Sequence, residues 1–123
     1  MAYIDDSVLD AALDEIRNNT ENLYICSAEP ASYTEAQSTY KLGTKASPTI
    51  GAPQNGDTSG RKITISAISD GTVDSSGTAS HWALTDNSAT TLLAAGSLTS
   101  SQAVTASNTF TLTAFDIEFP DPS

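Results

Sequence analysis

Hydrophobic positions recur with two periods along this chain, and the change from one to the other marks its plan. After Asp5-Asp6-Ser7, which offers helix N-cap chemistry, Val8, Leu9, Ala12, Leu13 and Ile16 form one stripe at helical spacing. Asp10, Asp14 and Arg17 occupy the opposite face. The pattern predicts a helix over residues 6–18, with acidic groups at its start, Arg17 near its end and Asn18-Asn19 as its stop. Beyond it the period falls to two. Leu23-Tyr24-Ile25-Cys26 reads as a short strand closed by Glu29-Pro30. Residues 61–68 read as a half-buried strand in which Ile63, Ile65 and Ala67 alternate with Thr64 and Ser66. Asp70-Gly71 then signals a tight turn, and Val73 begins a short return.

The strongest hairpin pattern runs from Thr78 to Leu98. Trp82 and Leu84 share one face of its first strand, while Ala79, His81, Ala83 and Thr85 share the other. Asp86-Asn87-Ser88 supplies the turn, and Thr91 to Ala95 returns until Gly96 breaks the run. Gln102-Ala103-Val104 follows as a separate brief strand. Between Asn108 and Phe119 the apolar face switches sides near Ala114-Phe115, which predicts a bulge or a bend carrying the strand from one sheet to another.

Residues 31–60 lack a clear period. Tyr33, Tyr40 and Leu42 are scattered among polar residues, and Pro48, Pro53, Asn55-Gly56 and Gly60 interrupt any element. They read as an extended loop or arm. The whole, residues 1–123, reads as a single mainly β domain: an antiparallel β-sandwich or flattened barrel with one N-terminal helix, a long irregular loop, and a sandwich core over residues 61–119.

Composition narrows the function classes. Fifteen acidic against five basic residues give a net charge of −10, which disfavours nucleic-acid binding and docking on anionic membranes. With 38% hydrophobic residues the core is expected to be small and shared with partner subunits. No leader or membrane-spanning run is expected, and the Asn18-Asn19-Thr20 sequon reads as a chance match.

Candidate chemistry is sparse. His81 and Cys26 are the sole histidine and cysteine, too few to close a tetrahedral zinc site without carboxylates or another chain, and no nucleophile elbow or phosphate loop occurs. His81 is read as structural and Cys26 as a small buried hydrophobe. Asp70, Asp74 and Asp86 stand near predicted turns where oxygen ligands could suit calcium, but without EF-hand spacing they read as solvated turn residues. Asp116 and Glu118 read as the polar side of a strand. Sugar binding through Tyr33, Tyr40 or Trp82 is an alternative, with Trp82 read first as core. No cofactor is expected.

Several segments together resemble a family of small tailed-bacteriophage virion proteins. They are the opening Met1-Ala2-Tyr3 with its helix, Leu23 through Pro30, Tyr33-Thr34-Glu35-Ala36, Gly60-Arg61-Lys62-Ile63, and Gly77 through Leu84. The later part, from Leu93 to Phe110, is similar to phage structural modules in which a strand pair precedes a β-hairpin. Within that class the chain resembles capsid decoration (cement) proteins. The resemblance implies a non-enzymatic protein on the outer capsid surface, self-associated as a homotrimer and bound to the major capsid protein. The helix stripe (Val8, Leu9, Leu13, Ile16) and the loop residues Tyr33, Tyr40 and Leu42 would then be subunit contacts. A tail or baseplate component that binds a receptor, and a carbohydrate-binding module, are the alternatives.

Overall fold

A computed structural model describes residues 4–57 and 59–120. The Met1-Ala2-Tyr3 motif lies outside the described residues. Helix α1, Asp6–Asn19, starts where the Asp5 carboxylate accepts the Ser7 amide and ends where the Thr20 amide donates to the Ile16 carbonyl. Leu9, Leu13 and Ile16 are buried. The inward stripe is narrower than the sequence pattern suggests: Ala12 is exposed and Val8 is 59% exposed. Asp10 lies at the edge of that stripe, not opposite it, and is ion-paired with Arg61 at 2.8 Å.

Nine strands follow among the described residues: β1 (Asn22–Cys26), β2 (Lys41–Ala46), β3 (Gln54–Asn55), β4 (Arg61–Ile65), β5 (Ile68–Val73), β6 (Gly77–Asp86), β7 (Thr91–Val104), β8 (Thr109–Leu112) and β9 (Phe115–Phe119). They form an antiparallel six-stranded sheet, in the order β7-β6-β1-β2-β5-β8, that curls into a half-barrel. A small second sheet has the order β3-β4-β9. The mainly β architecture with one N-terminal helix is the expected one.

Strand β1 is buried on both faces because its residues alternate between two cores. Leu23 and Ile25 join the main cluster with Leu13, Ile63, Ile65, Trp82, Leu84 and Phe110. Tyr24 and Cys26 join a smaller cluster with Ala36 and Ala83, flanked by Tyr40. Helix α1 and the small sheet cover the first side, and a single π-helical turn, Glu35–Thr39, lies near the second.

Four expectations are corrected. Residues 31–60 are not one loop or arm: β2 lies within them, hydrogen-bonded between β1 and β5, and irregular backbone is confined to its flanks. Its residues, KLGTKA, carry little apolar signal because β2 is stabilised mainly by its two neighbours. Asp70-Gly71 is not a turn but lies inside β5, where a register shift falls between Ile68 and Gly71. Gly96 does not end the return strand; β7 runs on to Val104 as one 14-residue strand. Ala79 turns to the Trp82 side because the β6–β7 register slips. Ala79 pairs with Gln102 and His81 with Ser97, so Ser80 alone faces residues 98–101.

The two misread glycines share a cause. A Cβ at Gly71 would come within 2.2 Å of Phe110 Cζ, and one at Gly96 within 2.7 Å of Trp82 Cζ2. Each glycine clears room for an aromatic ring across the sheet surface. Gly43 on β2 is crowded in the same way, by Phe110 Cε1 at 2.9 Å and the Thr72 carbonyl at 2.8 Å.

The predicted switch near Ala114-Phe115 is a change of sheet: β8 ends in the large sheet and β9 begins in the small one, paired with β4 from Arg61↔Phe119 to Ile65↔Phe115. Gly71→Ala should destabilise the fold by about 1–3 kcal/mol through overpacking against Phe110. Phe110→Ala should cost about 3–5 kcal/mol by leaving a cavity. Urea denaturation midpoints of the two variants test this assignment, and a Gly71→Ala protein as stable as the parent would refute the ring contact.

Candidate functional site

The sequence-predicted contact residues do not converge. Leu9, Leu13 and Ile16 are buried in the chain's own core, and Leu42 is buried with Gly77 against it. Of the helix stripe proposed for contacts, Val8 is the member left largely on the surface, near the exposed Ile4. Tyr40 is half-buried at the edge of the smaller cluster, on the sheet face opposite the helix, and Tyr33 is half-buried.

The chemistry-bearing groups are engaged in structural bonds. The Ser80 hydroxyl and His81 Nδ1 lie 2.8 Å apart, and Ser80 also donates to the Ser27 carbonyl at 3.1 Å. Asp70 pairs with Lys45 at 3.1 Å, while Asp74 accepts from Thr44 Oγ1 at 2.7 Å and lies 3.8 Å from Lys41. Asp86 accepts the Ala89 amide inside the β6–β7 turn. No group of three or more His, Cys, Asp or Glu side chains is arranged to hold a metal ion among the described residues. Asp116 accepts from Thr64 Oγ1 at 2.7 Å and from Lys62 at 3.0 Å. These donors, Thr64 first and Lys62 next, hold its carboxyl below the usual range. The backbone amide of Ser88 does the same for Glu21.

A cleft of about 460 Å³ lies elsewhere, in a place the sequence reading passed over. Its walls are residues 97–102 of β7 and residues 111–113 at the end of β8, with Trp82 and Phe115 at its base. The ring centroids of Trp82 and Phe115 are 4.7 Å apart. Hydroxyls and one amide dominate the lining: Ser97, Thr99, Ser100, Ser101, Gln102, Thr111 and Thr113, with Leu98 and Leu112 between them. No charged residue contributes. Gln102 Nε2 donates to the Thr111 carbonyl at 3.1 Å, tying β7 to β8 across the gap.

Reading Gly96 as a strand end splits residues 91–104 into two pieces and hides the cleft. The available signal was an uninterrupted run, TLLAAGSLTSSQAV, without a charged residue or a proline. Trp82 is placed in the core, as expected. It is 8% exposed, with Gly96 against its six-membered ring and Phe115 tilted beside it. No helix among the described residues is long and apolar enough to cross a membrane. No protein-family model, no curated protein and no solved structure matches the chain.

Two pH-dependent outcomes follow from the buried and paired groups. Burial pushes the Cys26 thiol up from 9.0 to about 11, so its neutral form is favoured in the fold. That stabilisation is complete below pH 9 and is lost as pH rises toward 11. Native protein at pH 8 should therefore react with a disulfide reagent only as fast as it opens, and rapid native labelling would contradict the burial of Cys26. Asp116, with its lowered value, contributes stability above the ordinary carboxylate range and loses it as pH falls below that range. Asp116→Asn should flatten the acid limb of a stability-against-pH curve, and an unchanged limb would count against the Thr64–Lys62 contacts.

Proposed function

We propose that the chain is a structural protein of a tailed-phage virion, a head decoration (cement) protein that binds the outer capsid as a homotrimer and bridges major capsid subunits. The segments that resemble phage virion proteins support this reading, and so does an acidic exterior that would face solvent.

The observation that carries the reading is an open sheet edge. Strand β7 is outermost in the large sheet and extends over 14 residues with no charged residue and no proline. Proteins normally protect such edges with charge, proline, short length or a covering element, because unpaired amides and carbonyls recruit further strands. Apart from its register shifts at residues 98–101 and at Leu93, the edge carries none of these guards, and its length suits a protein that works in an assembly, where a neighbour covers it. The exposed Val8 and Ile4 offer a smaller apolar contact beside the helix start.

Purified protein added to undecorated heads should bind saturably and raise their melting temperature. Antibody labelling of intact particles should mark the head. Failure to bind heads, or label confined to the tail, would overturn the decoration role, and the second result would support a tail or baseplate component.

A further inference from the structure

We infer that the cleft between β7 and β8 is a strand acceptor: an extended segment of a partner polypeptide, apolar at alternate positions and flanked by Lys or Arg, enters it and pairs with the open edges. The inference rests on the reading that this chain works by polypeptide contact, and it names the site and the partner's chemistry.

The sheet order places β7 and β8 at opposite ends of the large sheet, yet the curl brings them to the two sides of one cleft. Their link across it is a single side chain, Gln102, whose amide donates to the Thr111 carbonyl. Adjacent strands lie about 4.8 Å apart, so a site lacking one strand leaves about 10 Å between its neighbours. A glutamine side chain and its hydrogen bond span roughly that distance. The Gln102 amide is thus the link at the place where an added strand would complete the barrel, and a strand's backbone could take it over.

The lining fits the same occupant. In a strand, alternate side chains point to opposite faces, so one set would meet Trp82, Leu98, Leu112 and Phe115 while the other faced out. Residues 98–101 are left out of the β6 register, which frees their backbone groups from that ladder. The absence of charge in the lining selects a neutral core for the segment.

Charge outside the cleft selects its flanks. Lys41, Lys45, Arg61 and Lys62 are all ion-paired, and the chain retains a net charge of −10. That field favours cationic ends and disfavours a segment of a second copy of this acidic chain as the occupant of the cleft.

The test uses the full chain and a synthetic probe, acetyl-Lys-Thr-Val-Thr-Val-Thr-Val-Thr-Lys-amide. The single tryptophan of the protein lines the cleft, so a titration can be followed by its fluorescence. Saturable binding that weakens with salt is expected, together with slowed amide exchange at residues 97–102 and 109–113. Ser100→Pro should weaken binding about tenfold by removing a donor and stiffening the edge. Gln102→Ala should tighten it severalfold by releasing the Thr111 carbonyl, and carries the comparison should Ser100→Pro lower the melting temperature.

The inference is overturned by a titration without saturable change, by equal binding of a probe with a central proline, or by exchange protection at other strands. It is also overturned if the same amides become protected as protein concentration rises without probe, which would make a second copy the occupant. Protection of the cleft by a maltooligosaccharide in place of the peptide would assign it to glycan. Heads that bind the protein while the probe does not would remove this inference alone; probe binding without head binding would remove the decoration role alone.

Discussion

Aromatic rings seated on glycines set the shape from which the rest of the structure follows. Phe110 projects from β8, at one end of the large sheet, and crowds Gly71 on β5 and Gly43 on β2. Trp82 on β6 crowds Gly96 on β7, near the other end. Any side chain at these glycines would hold the rings away from the sheet. With only hydrogen there, the rings lie close and the sheet can bend around them. A chain with 38% hydrophobic residues thereby fills the middle of a six-stranded sheet with few large side chains. The same curvature places β7 and β8 on either side of the cleft.

The face of the large sheet that carries the main cluster is covered by elements tied together through charge as well as packing. Arg61 is the joint. From β4 it donates to Asp10 on the helix, to Asn55 Oδ1 on β3 at 2.7 Å, and to the Pro53 carbonyl. The paired Asp10 carboxylate raises its already high proton affinity, so the guanidinium remains charged. Next to it, Lys62 bridges Asp57 at 2.6 Å and Asp116 at 3.0 Å, joining a loop to β9. On the opposite face, the Tyr24 hydroxyl accepts from Asn22 and Asn87, which fixes the β6–β7 turn to the central strand. Polar side chains therefore position the layers, and the apolar ones fill the space between them.

What the sequence made legible follows from how local each signal was. The helix, β1, β4, the hairpin turn and the change of sheet at Ala114-Phe115 all rest on patterns within a few residues, and each has its counterpart in the structure. The helix rotation depended on Arg61, far along the chain, drawing Asp10 toward the small sheet. Strand β2 was hidden because KLGTKA has no period of its own and owes its conformation to ladders on both sides. Gly71 and Gly96 were read as breaks, since nothing adjacent in sequence announces a ring from another strand. The cleft inherited that error: its lining is assembled from β6, β7, β8 and β9, and the single continuous signal was the uncharged run that Gly96 had divided.

Strand order also carries a consequence in time. The central strand β1 comes from the start of the chain, yet Asn22 pairs with Thr85 and Cys26 with His81. β4 waits similarly for β9, with Arg61 opposite Phe119. By contrast β6 and β7 are joined by a short turn and can pair without closing a long loop. The hairpin is thus the natural template on which β1 docks, and the small sheet is completed only after nearly the whole chain has been synthesised. Until then the side of β1 that carries Leu23 and Ile25 lacks the small sheet that helps to cover it.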